Sequence, residues 1–247
     1  MVGYFSQILD NQLMGARMPI ETDLILSLGT LCEMTHNLRA FYGVDRSGLL
    51  DWFVTPIASI PGLIDARIRI DIADGTLEPV SLGEGVDSIM PLPTGILLHH
   101  SFSRDANHRV VADWRSEIHS VAEKYTFLGD RMARWLDGAR RPCLFLDRDG
   151  AHQAISDDLR AACFSASIYD DVLAALRRSF PAAAPTLIVV NPTIPTTDSS
   201  SDIRVVTVGD YGEWHDGVEG HFAGRVDGWR DALGSLDIKL CREQLSV

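Results

Sequence analysis

Cys32, His99, His100 and Asp51 are the residues whose types could together do chemistry in this sequence. A thiol, an imidazole and a carboxylate are the parts of a nucleophilic site, in which the imidazole takes or shares the thiol proton and the carboxylate orients the ring. Cys32 lies in "LILSLGTLCEMTHNLRAFYG", residues 24–43. That run reads as a buried strand, a glycine turn and a helix with the thiol in its first turn. Gly29 permits a sharp turn, and Thr30 is positioned to cap the helix through its hydroxyl. The unpaired N–H groups and dipole of a helix start favour negative charge there, so this address suits a thiolate of lowered pKa. The bland alternative is a small apolar side chain packing helix onto sheet.

The histidines differ in placement. His36, one helical turn beyond Cys32, points down the helix. "ILLHHSFSRD" ends an apolar segment in His99 and His100. If that segment is a strand, the two rings face opposite ways and only one reaches the site. Three segments offer a third group: Asp51 in "LLDWF", Asp147 and Arg148 in "CLFLDRDG", and Asn191 in "LIVVNP". Asp51 sits between apolar residues, where a carboxylate needs donors such as backbone N–H groups, Arg39 or Arg148.

Elements must bring these residues together. Apolar runs at Leu24–Leu28, Ile96–His99, Cys143–Leu146 and Thr186–Val190 read as buried strands, and the β-branched run Ile203–Val208 as a fifth. Trp114, Ile118, Val121, Tyr125, Leu128, Met132 and Trp135 form one stripe of a long helix. Val172, Leu173, Leu176 and Phe180 form another, closed by Pro181. Strands alternating with helices predict an α/β fold, a mostly parallel sheet of about five strands covered by helices on both faces. We expect a single domain over residues 1–247, with an irregular Gly- and Pro-rich excursion at 71–95 and a polar loop at 191–202 after a strand. In such sheets ligands bind beyond the carboxyl ends of the strands, where Cys32 lies.

Bulk properties exclude several classes. A net charge of −12 spread along the chain argues against nucleic-acid and anionic-membrane partners. No apolar run approaches the ~18 residues of a membrane span, and the first residues lack the pattern of a secretion signal. The four cysteines are widely spaced with no C-x-x-C, so no metal site is expected from them and a reduced, cytoplasmic protein is the simplest expectation. No cofactor is expected.

The run "SLGTLC" (27–32), "LR" (38–39) and "LLDWF" (49–53) resembles a bacterial domain-of-unknown-function family described as papain-like cysteine peptidases. That family shows S-L-G-x-x-C, then L-R, then P-F-D-W, followed by H-D-F, a K-Y helix bearing arginines, and a strand ending in arginine. Here "HSF" (100–102) stands for H-D-F, Lys124–Tyr125 is followed by Arg131 and Arg134, and "LFLDR" ends in Arg148. The resemblance covers roughly residues 23–190. It implies Cys32 as nucleophile, His100 rather than His99 as its partner and Asp51 as a member of the site. Arg131, Arg134 and Arg148 become candidate substrate contacts, suited to a carboxylate or phosphate, and Asn191, at its strand end, is a further candidate. Ser101 replaces the family aspartate, and "LL" replaces P-F.

The expectation is a thiol-dependent acyl-group enzyme, a hydrolase or acyltransferase. It would act on an amide, ester or thioester of a small molecule, a peptide or a carrier-bound acyl donor. The alternative is a non-catalytic α/β module binding a sugar- or nucleotide-like ligand. No G-x-S-x-G occurs, which weakens a serine hydrolase.

Overall fold

The computed structural model describes residues 19–30, 32–81, 85–147, 153–195, 202–209 and 226–241. The fold is α/β. Strands β1 (Ile20–Thr22) and β2 (Leu24–Ser27) lead into α1 (Cys32–Tyr42). Helix α2 (Ile60–Asp65), strands β3 (Leu77–Val80) and β4 (Ser88–Pro91), and the long helix α3 (Ile118–Gly138) follow. Then come β5 (Pro142–Leu146), α4 (Asp157–Cys163), α5 (Ile168–Ser179), β6 (Thr186–Val190), β7 (Ile203–Val206), α6 (Val226–Gly234) and β8 (Ile238–Leu240).

The main sheet has four parallel strands in the order β2-β5-β6-β7. Its strands are nearly continuous apolar runs because both faces are covered. Alternate residues go to opposite faces. Ile25, Cys143, Phe145, Ile188 and Val190 pack with Met34 and Leu38 of α1 and with Trp229 and Leu233 of α6. Leu24, Leu26, Leu144, Leu187 and Val189 join the larger core with α2, α3 and α5. The buried indole of Trp229 donates from Nε1 to Glu33 Oε1 at 2.9 Å, tying α6 to the start of α1.

Two expectations are corrected and one strand pairing is added. Ile96–His99 is not a strand of the sheet. Leu97 forms one isolated antiparallel bridge with Val54, while the Leu98 N–H bonds Ile89 O, so successive residues face different partners and no ladder grows. Ile96, Leu97 and Leu98 are apolar because they are buried. The excursion at 71–95 is not irregular throughout, since β3 and β4 form an antiparallel pair from Leu77–Pro91 to Val80–Ser88. A small parallel pair, β1 with β8, was not anticipated. The long helical stripe is borne out by α3, preceded by a 3₁₀ turn at Trp114–Glu117. Among the described residues no helix is long and apolar enough to cross a membrane.

Candidate active site

Leu28 N–H still bonds Phe145 O at 2.8 Å, and there the sheet ends. Gly29 turns the chain at φ +85°. A Cβ there would stand 3.0 Å from both Leu50 O and Thr55 Oγ1, so conformation and crowding both demand glycine. Thr30 follows at φ +80°, a conformation a β-branched residue rarely accepts, costing about 1–3 kcal/mol. Among the described residues its buried hydroxyl has no hydrogen-bond partner, so the expected cap on α1 is not formed. Its carbonyl accepts from Thr55 N–H at 3.3 Å. The 49–55 segment thus clamps a strained elbow that delivers Cys32 to the first position of α1.

The Cys32 thiol is half-buried and faces the backbone N–H groups of Cys32 and Glu33. Burial nevertheless pushes its pKa up. The two N–H groups lower it, and the Glu33 carboxylate adds to the rise. The expected low-pKa thiolate is therefore corrected: desolvation outweighs the helix start, and the resting group is a thiol.

Cys32, His99, His100, Asp87, Arg104, Asn107, His108 and Arg109 line one cleft of about 600 Å³. Because residues 99–100 form a turn rather than a strand, both rings reach the cleft, contrary to the alternation expected. The rings meet edge to face with centroids 4.8 Å apart. Both histidines remain exposed to solvent, yet partial desolvation, Arg104 and His100 push His99 down to about 4. Partial desolvation, Arg104 and Lys124 lower His100 as well. Both are neutral near pH ~7. Arg104 Nη2 lies 3.3 Å from His99 Nδ1. A guanidinium can only donate, so Nδ1 accepts and the His99 proton sits on Nε2. The ring of His100 has no hydrogen bond among the described residues, and neither imidazole bonds the thiol. His36 is exposed and outside the cleft.

Asp51 does not line the cleft. Its Oδ2 accepts from Gly48 N–H at 2.9 Å and meets Arg39 Nη2 at 3.4 Å. Arg39 also lies over the Trp52 ring at 5.8 Å, and Trp52 packs edge to face on His100 at 6.3 Å. Among the described residues Asp51 makes no direct contact with His100; Arg39 and Trp52 lie between them. Ser101 Oγ and Tyr125 Oη share a hydrogen bond of 2.5 Å, and Tyr125 packs on Phe53. The L-R, D-W, H-x-F and K-Y segments are therefore joined physically around His100.

The other candidates lie elsewhere. Arg131 donates to Ser47 O at 2.5 Å and stacks on Phe127 and Trp135. Arg134 lines a different cleft, of about 380 Å³, with Arg67, Arg69, Asp130 and Asp137. Neither faces Cys32. Asn191, at φ +45°, clasps β6 to the extension of β7: its Nδ2 donates to Val208 O at 3.0 Å and its Oδ1 accepts Val208 N–H at 2.8 Å. Arg148 lies outside the described residues, and so do residues 196–201 of the polar loop. Asp147 is fully buried at the carboxyl end of β5.

The arginines that face the cleft are Arg104 and Arg109. Only their position just after "HSF" could have singled them out. Among the described residues no group of three or more His, Cys, Asp or Glu side chains is arranged to hold a metal ion. Cys143 and Cys163 are buried in the core, and Cys241 is exposed away from the cleft. No family model matches the chain, and neither the curated proteins nor the solved structures give a match.

Proposed function

We propose that this chain is a thiol-dependent acyl-group enzyme, a cysteine hydrolase or acyltransferase with Cys32 as nucleophile and His100 as general base. One observation carries the reading: a thiol at a helix start beyond a parallel strand shares a cleft with two imidazoles. His100 is the better base, because Arg104 engages Nδ1 of His99 and leaves that ring only its Nε2 donor.

The neutral pair defines the step. His100 takes the thiol proton as sulfur attacks the substrate carbonyl. The backbone N–H groups of Cys32 and Glu33 stabilise the oxyanion that develops. The imidazolium returns its proton to the leaving group, and a thioester on Cys32 remains. Water then completes hydrolysis, or an amine or hydroxyl completes transfer. The resemblance to papain-like cysteine peptidases agrees with this chemistry. The substrate is a small-molecule, peptide or carrier-bound acyl compound. Free cysteines suit a reducing compartment such as the cytoplasm.

A second reading, a non-catalytic binding module, is favoured by the protonated resting thiol and the absence of a thiol–imidazole hydrogen bond among the described residues. Incubation with activated acyl esters and thioesters separates the two. The enzyme reading predicts an acyl adduct on the Cys32 peptide by mass spectrometry, absent in a folded Cys32→Ala variant. Acylation only at exposed Cys241, or none, favours the binding module.

A further inference from the structure

The cleft beside Cys32 holds a cation that the described protein does not neutralise. Arg104 Nη2 donates to Asp87 O at 2.8 Å and to His99 O, and Nη1 donates to His108 O. All are neutral carbonyls, which fix the guanidinium without cancelling its charge. Among the described residues no carboxylate pairs with Arg104. Several arginines elsewhere are met by acids, as Arg67 is by Asp137 and Arg178 by Asp65. Arg109, also in the cleft, is paired with Asp87. Of the two arginines in this cleft, Arg104 is the one without a carboxylate among the described residues, with N–H donors on Nε and Nη1 not used by these carbonyls. Lys124 adds positive field at His100. This contrasts with a chain of net charge −12, which repels anions in general and so makes a locally positive cleft selective.

We infer that the acyl substrate carries an anionic group, a carboxylate or phosphate, that docks on Arg104 beside Cys32. This rests on the thiol-enzyme reading and names its substrate class. A guanidinium held by three backbone carbonyls is a preorganised anion receptor, since its geometry needs no rearrangement when the ligand arrives. The docked anion also offsets the field that disfavours a proton on His100, so the base gains proton affinity when substrate is present.

The test uses two alkylating agents with the same leaving group and different charge. In each, the Cys32 thiolate displaces iodide from carbon; iodoacetate is anionic and iodoacetamide neutral. Rates are read at the Cys32 peptide of the full chain, with N-acetylcysteinamide as the reference thiol. The iodoacetate-to-iodoacetamide ratio should exceed that of the reference about tenfold. Arg104→Gln should return it to the reference value. Inorganic phosphate should slow the iodoacetate reaction if the site takes phosphate, and acetate should do so if it takes carboxylate. If Arg104→Gln fails to fold, the wild-type ratio and the protection by anions decide. A wild-type ratio at or below the reference, with Cys32 still labelled by iodoacetamide, overturns the anion inference and leaves the nucleophile standing. Failure of iodoacetamide to label Cys32 at all overturns the thiol-enzyme reading, and this inference with it.

Discussion

Replacing Asp51 with Asn should remove a pH dependence that the wild-type chain carries in the opposite sense to most carboxylates. The Asp51 side chain is 3% exposed. Burial raises its pKa from ~4 to about 6, against the lowering effects of Gly48 N–H and Arg39. The folded chain therefore holds the proton more tightly than the unfolded chain. Below about pH 4 both states are protonated and the penalty is absent. As pH rises from ~4 to ~6 the unfolded chain ionises first, and the folded state loses stability relative to it. At about 1.4 kcal/mol per pKa unit the loss is on the order of 3 kcal/mol, complete somewhat above pH ~6. Asn cannot ionise, so the variant lacks this loss. Its own offset, an amide facing the Arg39 guanidinium, does not vary with pH in this window. Urea unfolding of both proteins at intervals between about pH 4 and 8 gives the difference directly. Wild-type stability should fall relative to Asp51→Asn as pH rises. A wild type that gains on the variant over the same range would mean that Arg39 dominates and depresses the carboxyl pKa, and the reasoning from burial would be refuted.

Gly129→Ala should destabilise the fold by roughly 1–3 kcal/mol despite the better helix propensity of Ala, because the new Cβ would stand 2.3 Å from Ile68 O, a backbone atom. An unchanged or raised urea midpoint would show that the approach of α3 to Ile68 is looser than that. Asn191→Ala breaks the clasp to Val208 and places Ala at φ +45°. It should cost about 1–3 kcal/mol while leaving Cys32 alkylation by iodoacetamide unchanged at a temperature where the variant is folded. A stable variant with altered alkylation would return Asn191 to the site.

The central strands were readable because a parallel sheet covered on both faces leaves apolar runs, as in β5 and β6. The same signal misled at Ile96–His99, where apolarity reports burial under the β3–β4 hairpin and the partners needed for a ladder are divided between Val54 and Ile89. Strands β1 and β8 have three residues each and only partial burial, too little for a period to emerge. Cys32 stood out through its glycine elbow and helix start, and the histidine pair through an apolar run ending in two rings. The state of the thiol was not readable, since desolvation depends on neighbours brought from residues far away in sequence. Arg131 and Arg134 drew attention through a motif, yet arginines on a helix do not reveal which way they turn. Beyond its place just after "HSF", nothing in the sequence marks Arg104, because the carbonyls that hold it belong to Asp87, His99 and His108.

The most direct test of the Cys32–His100 assignment is the pre-steady-state release of p-nitrophenol from p-nitrophenyl acetate between about pH 5 and 10. The proteins compared are wild type, Cys32→Ala, His99→Ala and His100→Ala. A base must be neutral to accept the thiol proton, and the pKa of His100 lies below the usual histidine value of ~6.5. The account predicts a Cys32-dependent burst that is full near pH ~7 and falls as pH drops through the pKa of His100. His100→Ala should slow it by about 10²–10⁴-fold at neutral pH, with recovery only at alkaline pH where the thiol ionises unaided. His99→Ala should keep the neutral-pH burst. No burst from Cys32, or a burst that survives His100→Ala at neutral pH, would contradict the account.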